Sequence, residues 1–231
     1  MGALDRVSSL AVSTLRFGLG RAVVAPGPRP EQRLELYEFE ACPFCRKVRE
    51  ALSMLDLEVV VYPCPKRGIR FRPELRERGG REQFPYLVDP GAGTELYESD
   101  AIIAHLFERY GAGAVPLSYR LGPLTDLGVV LAGAPRAAHG VLARDSKCPE
   151  TPLELWSFEA SPGCRLVRER LCELELPYLL HNVAKGSRRD QPPSRVPGVS
   201  SVPRLFDPNR ERTLLGVDES VAHLESEYAL R

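Results

Sequence analysis

The residues best suited to chemistry in this chain are two cysteines three positions apart, Cys42 and Cys45. A thiolate attacks a disulfide sulfur, and a second thiol one helical turn away can resolve the mixed disulfide that forms. Pro43 follows Cys42, and its preset φ suits the first turn of a helix, where free amides and the helix dipole lower a thiol pKa. The spacing therefore predicts Cys42 as a nucleophile and Cys45 as its resolving thiol. A packed pair or half of a metal site are the alternatives.

The segment that carries this pair occurs twice. Residues 34–52, LELYEFEACPFCRKVREAL, return 119 positions later as residues 153–171, LELWSFEASPGCRLVRERL, with 13 of 19 positions identical. Chance would give roughly one identity, so the chain contains a duplicated unit. Only the first copy keeps both thiols, because Ser161 replaces Cys42.

Each copy is predicted to place this motif between a strand and a helix. Residues 34–39 alternate apolar and acidic side chains as a strand does, and apolar residues then recur at helical spacing as far as Asp56. Downstream we predict a second strand, a charged helix, a hairpin and a last helix capped by Ser99. Their bounds are 58–62, 71–78, 86–88 with 94–97, and 100–110. The order is βαβαββα, and it repeats from residue 153 to residue 228.

Length and composition indicate two globular domains. At 231 residues the chain is long enough for two domains that each bury their own core. We expect a leader helix or loop over 1–33, a first domain over 34–111, a linker with a short helix over 112–152 and a second domain over 153–231. The basic leader resembles the end of an organelle transit peptide. A weak internal match to residues 126–139 instead favours two structural leaders, each packed beside the domain that follows.

The charge balance and the cysteine count exclude several classes of function. Lysine plus arginine equals aspartate plus glutamate at 31 each, so no net field attracts nucleic acid or anionic lipid. No run of 18 apolar residues occurs. Six irregularly spaced cysteines fit neither a disulfide scaffold nor a structural zinc site. We therefore expect no metal, no nucleic-acid partner and no membrane span.

Three motifs of the first copy occur in an order that points to a family. Cys42-Pro-Phe-Cys45 opens the first helix, Gln83-Phe84-Pro85 precedes the hairpin, and Glu98-Ser99 precedes the last helix. Together they resemble a glutaredoxin and the N-terminal lobe of glutathione transferases. The resemblance implies an α/β fold of two tandem thioredoxin-like domains. The all-α C-terminal domain of the transferases has no room here.

The tandem arrangement also resembles plant and algal chloroplast proteins that carry two glutathione S-transferase N-terminal domains. That resemblance implies a chloroplast location, or otherwise a cytoplasmic one.

The same resemblance implies how glutathione, as co-substrate, is bound. It implies a cis peptide bond at Phe84-Pro85, with the exposed backbone of Phe84 pairing with the cysteinyl part of glutathione. Ser99 would hold the γ-glutamyl carboxylate with its hydroxyl and amide. Lys66 and Arg67 are candidates for the glycyl carboxylate, or are solvated loop charges. The expected glutathione-binding residues are Phe44, Lys66, Phe84, Pro85, Glu98 and Ser99.

From these motifs we expect an enzyme, a glutathione-dependent thiol–disulfide oxidoreductase of the glutaredoxin type that acts through Cys42. Its expected partners are glutathione and a disulfide or electrophilic small molecule, with protein thiols as further substrates. The alternatives are a glutathione transferase acting on an electrophile, a non-catalytic glutathione- or ligand-binding module, and an isomerase of the prostaglandin-synthase type, which shares a Cys-Pro-Phe-Cys unit by resemblance.

The second copy lacks several of these residues. Gly163 replaces Phe44, and Gly216-Val217 replaces Glu98-Ser99. Ser161 is expected to cap its helix, or else to activate glutathione as in serine-type transferases. We therefore expect a structural or regulatory role for this copy.

The other cysteines and the recurring histidines are expected to be structural. Cys64 and Cys172 adjoin apolar segments and are expected to be packed, whereas Cys148 lies in the linker. His105 and His223 recur at matching positions of the intact and the altered copy, which favours a structural role.

Overall fold

The computed structural model describes residues 19–112, 114–116, 119, 139–188 and 202–230. The elements of the first copy are β1 Leu34–Glu38, α1 Pro43–Met54, β2 Val59–Pro63, α2 Phe71–Gly79, β3 Tyr86–Asp89, a 3-10 turn Pro90–Ala92, β4 Thr94–Tyr97 and α3 Ser99–Tyr110. Those of the second copy are β5 Leu153–Ser157, α4 Pro162–Glu173, β6 Tyr178–Asn182, β7 Arg204–Asp207, β8 Arg212–Leu215 and α5 Gly216–Glu227. The predicted second helix of this copy and the short linker helix fall outside the described residues. No helix within the described ranges is long and apolar enough to cross a membrane.

The two copies form one eight-stranded sheet of order β4-β3-β1-β2-β6-β5-β7-β8. In each copy the first two strands are parallel and the hairpin is added antiparallel to the first strand. The copies join where β2 and β6 pair antiparallel, with Val60 opposite Leu179. These two residues occupy equivalent positions of the repeat, so a pseudo-two-fold axis passes between them.

The apolar core is also shared. One cluster of buried side chains continues from the first copy into the second. Residues at helical spacing in α1 and α4 pack on it together with inward-facing residues of the central strands. Examples are Leu36, Val48, Leu52, Leu155, Val167 and Leu171. The two copies therefore share one core, because the β2–β6 junction makes the helical face of the sheet continuous.

A buried cluster of charges lies between α1 and α4. Glu40 and Glu159 occupy equivalent positions of the repeat, as do Arg49 and Arg168. Arg49 contacts Glu40 at 3.3 Å and Glu159 at 2.9 Å, and Arg168 contacts the same two carboxylates at 3.1 and 2.8 Å. All four side chains are almost fully buried. Each arginine therefore bridges its own copy and the other copy.

The leaders connect the copies as well. The amide of Val23 donates to the carbonyl of Lys185 at 2.9 Å, and the amide of Ala143 donates to the carbonyl of Lys66 at 2.9 Å. Leader residues also bond to the copy that follows them, as in the bond from the amide of Gly27 to the carbonyl of Tyr110 at 2.9 Å. The described residues before each repeat therefore bond both to the copy that follows and to the other copy, whereas residues 1–18 of the first leader and 126–138 of the second lie outside the described residues.

Candidate functional site

The thiol of Cys42 lies at the N-terminal end of α1. Cys42 is the N-cap residue, with φ −69° and ψ 121°, and Pro43 is the first helical residue. Its Sγ accepts a hydrogen bond from the amide of Cys45 at 3.3 Å. The hydrogen bond from the Cys45 thiol, together with the amides of Cys45 and Phe44, lowers the pKa of the Cys42 thiol, although burial opposes ionisation. The strand-to-helix junction thus presents a sulfur that is stabilised as a thiolate.

Cys45 differs in its electrostatics. Its side chain is fully buried, and burial raises the pKa of the Cys45 thiol well above its ordinary value. Its hydrogen bond to Cys42 and the charges of Cys42 and Glu38 act in the same direction. The pair is therefore an ionisable thiol followed by a thiol that holds its proton. This division suits a nucleophile and a resolving thiol.

The two cationic residues that follow Cys45, Arg46 and Lys47, form ion pairs with carboxylates. Lys47 is fully buried, and its Nζ contacts Oδ1 of Asp100 at 2.6 Å. Nε of Arg46 lies 3.4 Å from Oε1 of Glu159 in the charge cluster. Both cations are therefore paired with carboxylates. Lys47 ties α1 to the first turn of α3, a role that the sequence did not reveal; the second copy has Leu166 there.

The peptide bond before Pro85 is cis, as the resemblance implied, and so is the bond between Val202 and Pro203. The ring of Phe84 packs edge-on against Phe39, with the centroids 5.8 Å apart, and the guanidinium of Arg72 lies 4.8 Å from its centroid. Arg72 in turn donates to the carbonyl of Pro65 at 2.7 Å. The orientation of Phe84 is therefore set by neighbours on both sides, and Arg72 is a positioning residue that sequence reasoning missed.

Glu98 and Ser99 lie at the start of α3. Glu98 is the N-cap residue but makes no side-chain capping bond, so the prediction that the Ser99 side chain caps this helix is wrong. Ser99 is instead the first helical residue and is buried. Glu98 has φ +67°, a conformation that costs a non-glycine residue about 1–3 kcal/mol. The second copy has Gly216 there, with φ +79°. The first turn of α3 thus places backbone amides that lack a helical partner next to the buried Ser99.

The remaining expected ligand residues are more exposed. Lys66 is held through its backbone, since its amide donates to the carbonyl of Val141 at 2.6 Å and its carbonyl accepts from Ala143. Its side chain is exposed, and so is that of Arg67. Phe44 is 41% exposed in the first turn of α1. The roles of Lys66 and Phe44 toward glutathione stay predictions.

The equivalent site of the second copy is filled. A Cβ atom on Gly163 would lie 3.1 Å from Cγ2 of Val217 and 3.4 Å from Cδ of Pro203. Gly163 and Val217, which replace Phe44 and Ser99, therefore lie next to each other at the cis-proline Pro203. Oγ of Ser161 accepts a hydrogen bond from the amide of Cys164 at 3.3 Å, which agrees with the expectation that Ser161 caps α4.

We predict that Gly163→Phe destabilises the protein by about 1–3 kcal/mol, because a ring cannot enter the space between Val217 and Pro203 without displacing them. The reverse change in the first copy, Phe44→Gly, removes a half-exposed ring and is expected to cost less than about 1 kcal/mol. Urea unfolding of both variants checks this. Equal losses would show that the second site is as open as the first.

The structural expectations for the other candidates are met. Cys64 and Cys172 are buried and Cys148 is exposed. Nε2 of His105 lies 2.8 Å from Oδ2 of Asp89, and Nε2 of His223 lies 2.7 Å from Oδ2 of Asp207. Both histidines thus connect the last helix of a copy to its hairpin. In the part of the chain that the structure describes, no group of three or more histidine, cysteine, aspartate or glutamate side chains is arranged to hold a metal ion.

The chain forms one sheet from two thioredoxin-like α/β units. The first unit has a Cys-x-x-Cys motif at the start of a helix and a cis-proline, and these features define the class of this protein. Residues 36–114 and 155–231 each match the model of the family described as glutathione S-transferase, N-terminal domain. The chain belongs to this family and carries its domain twice. Domains of this family bind glutathione. Searches of the curated proteins and of the solved structures gave no match.

Proposed function

We propose that the chain is a glutathione-dependent thiol–disulfide oxidoreductase. Cys42 attacks a disulfide, and glutathione or Cys45 then releases the product. The observation that carries the proposal is the contrast between the two thiols of one helical turn. The pKa of Cys42 is lowered by hydrogen bonds and that of Cys45 is raised by burial. A transferase or a binding module has no need of this contrast.

The proposed substrate complex uses the family's ligand. Glutathione would lie along the backbone at Phe84. The ring of Phe84 is held in place by the Phe39 ring and the Arg72 guanidinium. The γ-glutamyl carboxylate of glutathione would meet the first turn of α3 at Ser99, where helix amides favour an anion. Substrates of this class are glutathione disulfides of small molecules and of proteins. We place the reaction in the chloroplast on the tandem-domain resemblance alone.

The function is tested by following reduction of hydroxyethyl disulfide with glutathione. We expect turnover by the wild type, with glutathione appearing on Cys42 in intact mass spectra of enzyme trapped during turnover. Turnover of an aromatic electrophile without any disulfide reduction would favour the transferase instead. Glutathione binding in calorimetry without turnover of either substrate would favour the binding module.

We predict that Ser99→Val, which copies Val217 of the second copy, weakens glutathione binding about 10- to 150-fold. The change removes one hydrogen bond to a charged group, which contributes about 1.5–3 kcal/mol. Calorimetric titration with glutathione measures the affinity, and Ser161→Ala is the matched control that should leave it unchanged. An unaltered Kd for Ser99→Val would place the γ-glutamyl group elsewhere.

A further inference from the structure

Three large apolar side chains are exposed in the segments that surround the Cys42 turn. Phe44 is 41% exposed, Ile69 80% and Leu142 47%. We call Phe44, Ile69 and Leu142 the apolar rim. Water contact of large apolar side chains is unfavourable, and a group of them on one surface marks a place where a partner binds. Phe44 follows Cys42 in the first turn of α1, and the other two reach the site from different parts of the chain.

Ile69 lies in the loop after β2, which runs beside the turn that carries Cys42. The amide of Cys64, at the start of this loop, donates to the carbonyl of Glu38 at 2.6 Å. Further along, the amide of Ile69 donates to Oε2 of Glu175 at 3.1 Å. The second copy therefore holds the backbone of Ile69, while the side chain of Ile69 stays in solvent.

Leu142 belongs to the second leader, which pairs with the same loop. Leu142 lies opposite Lys66 in a parallel bridge. Lys66 bonds to the residues on either side of Leu142, through its amide at 2.6 Å and through its carbonyl at 2.9 Å. A Cβ atom on Gly140 of this leader would lie 3.0 Å from Cβ of Glu40, just before the Cys42 turn. The leader of the second copy thus forms one side of the site of the first copy.

The repeat shows that the apolar rim is not needed for this framework. The second copy replaces all three of its members, with Gly163 for Phe44, Arg188 for Ile69 and Ala22 for Leu142. The backbone contacts are nevertheless the same, since the amide of Arg188 donates to Oδ2 of Asp56 at 3.0 Å and Ala22 pairs with Lys185. The apolar rim therefore occurs only in the copy that has Cys42.

Two cations adjoin the apolar rim. Lys66 and Arg67 are exposed, and within the described ranges neither side chain forms an ion pair. Arg67 has φ +66°, and the second copy has Gly186 there with φ +87°. A residue with a side chain is disfavoured in this conformation relative to glycine, so the first copy keeps a cation at a position that suits glycine. The glycyl carboxylate of glutathione can take one of the two cations, which leaves the other for an acidic group of a partner.

We propose that the apolar rim and these cations dock a partner protein whose glutathionylated cysteine is flanked by apolar and acidic side chains, an inference that rests on the proposed function. Small-molecule sites are concave and enclose most of their ligand. Side chains that are 41 to 80% exposed stand on an open surface instead, which suits a protein segment.

The docked partner would react as follows. The Cys42 thiolate attacks the glutathione sulfur of the mixed disulfide on the partner. A bond forms between Sγ of Cys42 and the glutathione sulfur, and the bond between that sulfur and the partner cysteine breaks. The partner leaves reduced, as a thiolate, and Cys42 is oxidised to a mixed disulfide. Because the partner is the leaving group, contacts between the partner and the apolar rim act on this first step.

The test measures this first step alone, in a Cys45→Ser background that cannot close an internal disulfide. The donors are two pentapeptides with glutathione on a central cysteine. One has leucine on both sides of the cysteine and aspartate at both ends, and the other has serine and asparagine in their places. Transfer of glutathione to Cys42 is followed by acid quenching, intact mass and peptide mapping, without free glutathione. We expect the leucine and aspartate peptide to react at least about tenfold faster.

The variant Ile69→Ser with Leu142→Ala removes two members of the apolar rim and leaves Phe44, an expected glutathione contact, in place. We expect the two peptides to react within about twofold of each other in this variant, and transfer from glutathione disulfide to stay within about twofold of its rate before the change. Val24→Ser is the matched control. Val24 is 61% exposed in the first leader, and its amide donates to the carbonyl of Met54 at the other end of α1. This control should keep the preference between the peptides.

The outcomes separate the docking surface from the proposed function. A preference for the leucine and aspartate peptide without glutathione-dependent reduction of hydroxyethyl disulfide would support docking and contradict the proposed function. Transfer from glutathione disulfide without a preference between the peptides, or a preference that the double variant keeps, would overturn docking alone. No transfer from any donor would contradict both. A dimer in sedimentation that the double variant dissociates would show that a second copy covers the apolar rim, which also overturns the proposal.

Discussion

Cys42→Ser is expected to reduce glutathione-dependent disulfide reduction at least about 100-fold, because a hydroxyl at this position is neither ionised nor an effective nucleophile toward sulfur. No other cysteine can replace it. Cys164 is buried within α4, and Cys45, Cys64 and Cys172 are buried thiols with raised pKa values. Cys148 is exposed but lies outside the helices and strands that the structure describes. Hydrogen bonds from the Cys45 thiol and from the amides of Cys45 and Phe44 lower the pKa of the Cys42 thiol, which favours its ionisation over that of the other buried thiols.

The measurement is hydroxyethyl disulfide reduction at pH 7 for four proteins: wild type, Cys42→Ser, Cys45→Ser and Ser161→Ala. Cys45→Ser should keep part of the activity, since glutathione can itself resolve the adduct on Cys42. Ser161→Ala should keep all of it, because Ser161 acts as a helix cap. Activity that survives in Cys42→Ser and disappears in Ser161→Ala would move the chemistry to the second copy.

Much of the first site was predictable because its determinants are local. Pro43 starts α1, the alternation of residues 34–39 gives β1, and the hairpin of β3 and β4 lies where the turn residues indicated. The cis bond at Pro85 followed from the family resemblance and was confirmed. The start of α3 was misplaced by one residue, since Glu98 takes a left-handed φ that no propensity of glutamate indicates.

The joining of the copies was not predictable, because its contacts are separated by more than a hundred residues. Charged residues such as Glu40 and Arg49 in an amphipathic pattern usually face solvent. Here Arg168 crosses the pseudo-two-fold axis to contact Glu40. One signal was present in the sequence: Glu40, Arg46, Arg49 and Glu50 are identical in both copies, whereas Cys42, Phe44 and Lys47 are replaced in the second copy. Identity that is retained where the proposed nucleophile is replaced indicates residues needed for packing.

The second copy can therefore be explained by what it retains. It has lost the nucleophile and has filled the equivalent ligand site with Val217. It retains Glu159, Arg165 and Arg168, which complete the buried charge cluster against α1 of the first copy. Because α1 carries Cys42 at its N-terminus, the cluster holds the helix that carries the proposed nucleophile. The altered copy thus supports the intact one.

Glu159→Gln is expected to lower the free energy of unfolding by about 3–5 kcal/mol, because removing one member of a buried ion pair leaves its partners uncompensated. The carboxylate lies 2.8 Å from Arg168 and 2.9 Å from Arg49, with Arg46 and Arg165 within 4 Å. Burial opposes its ionisation, but these guanidinium groups hold the pKa of Glu159 well below its usual value. Since both copies share one core, we expect a single unfolding transition, with Tm lower by roughly 6–20 °C.

The stabilisation by Glu159 should depend on pH in a definite direction. A carboxyl with a depressed pKa binds fewer protons in the folded than in the unfolded state, so its stabilisation is fully present above the unfolded pKa of 4.5 and declines as pH falls below it. The difference between wild type and Glu159→Gln should be constant between about pH 6 and 8 and should shrink below about pH 4.5. Glu227→Gln, which removes one member of the exposed pair with Arg210, is the control and should leave Tm unchanged. A Tm of Glu159→Gln equal to that of wild type at neutral pH would mean that the sheet and the apolar core alone hold the copies together.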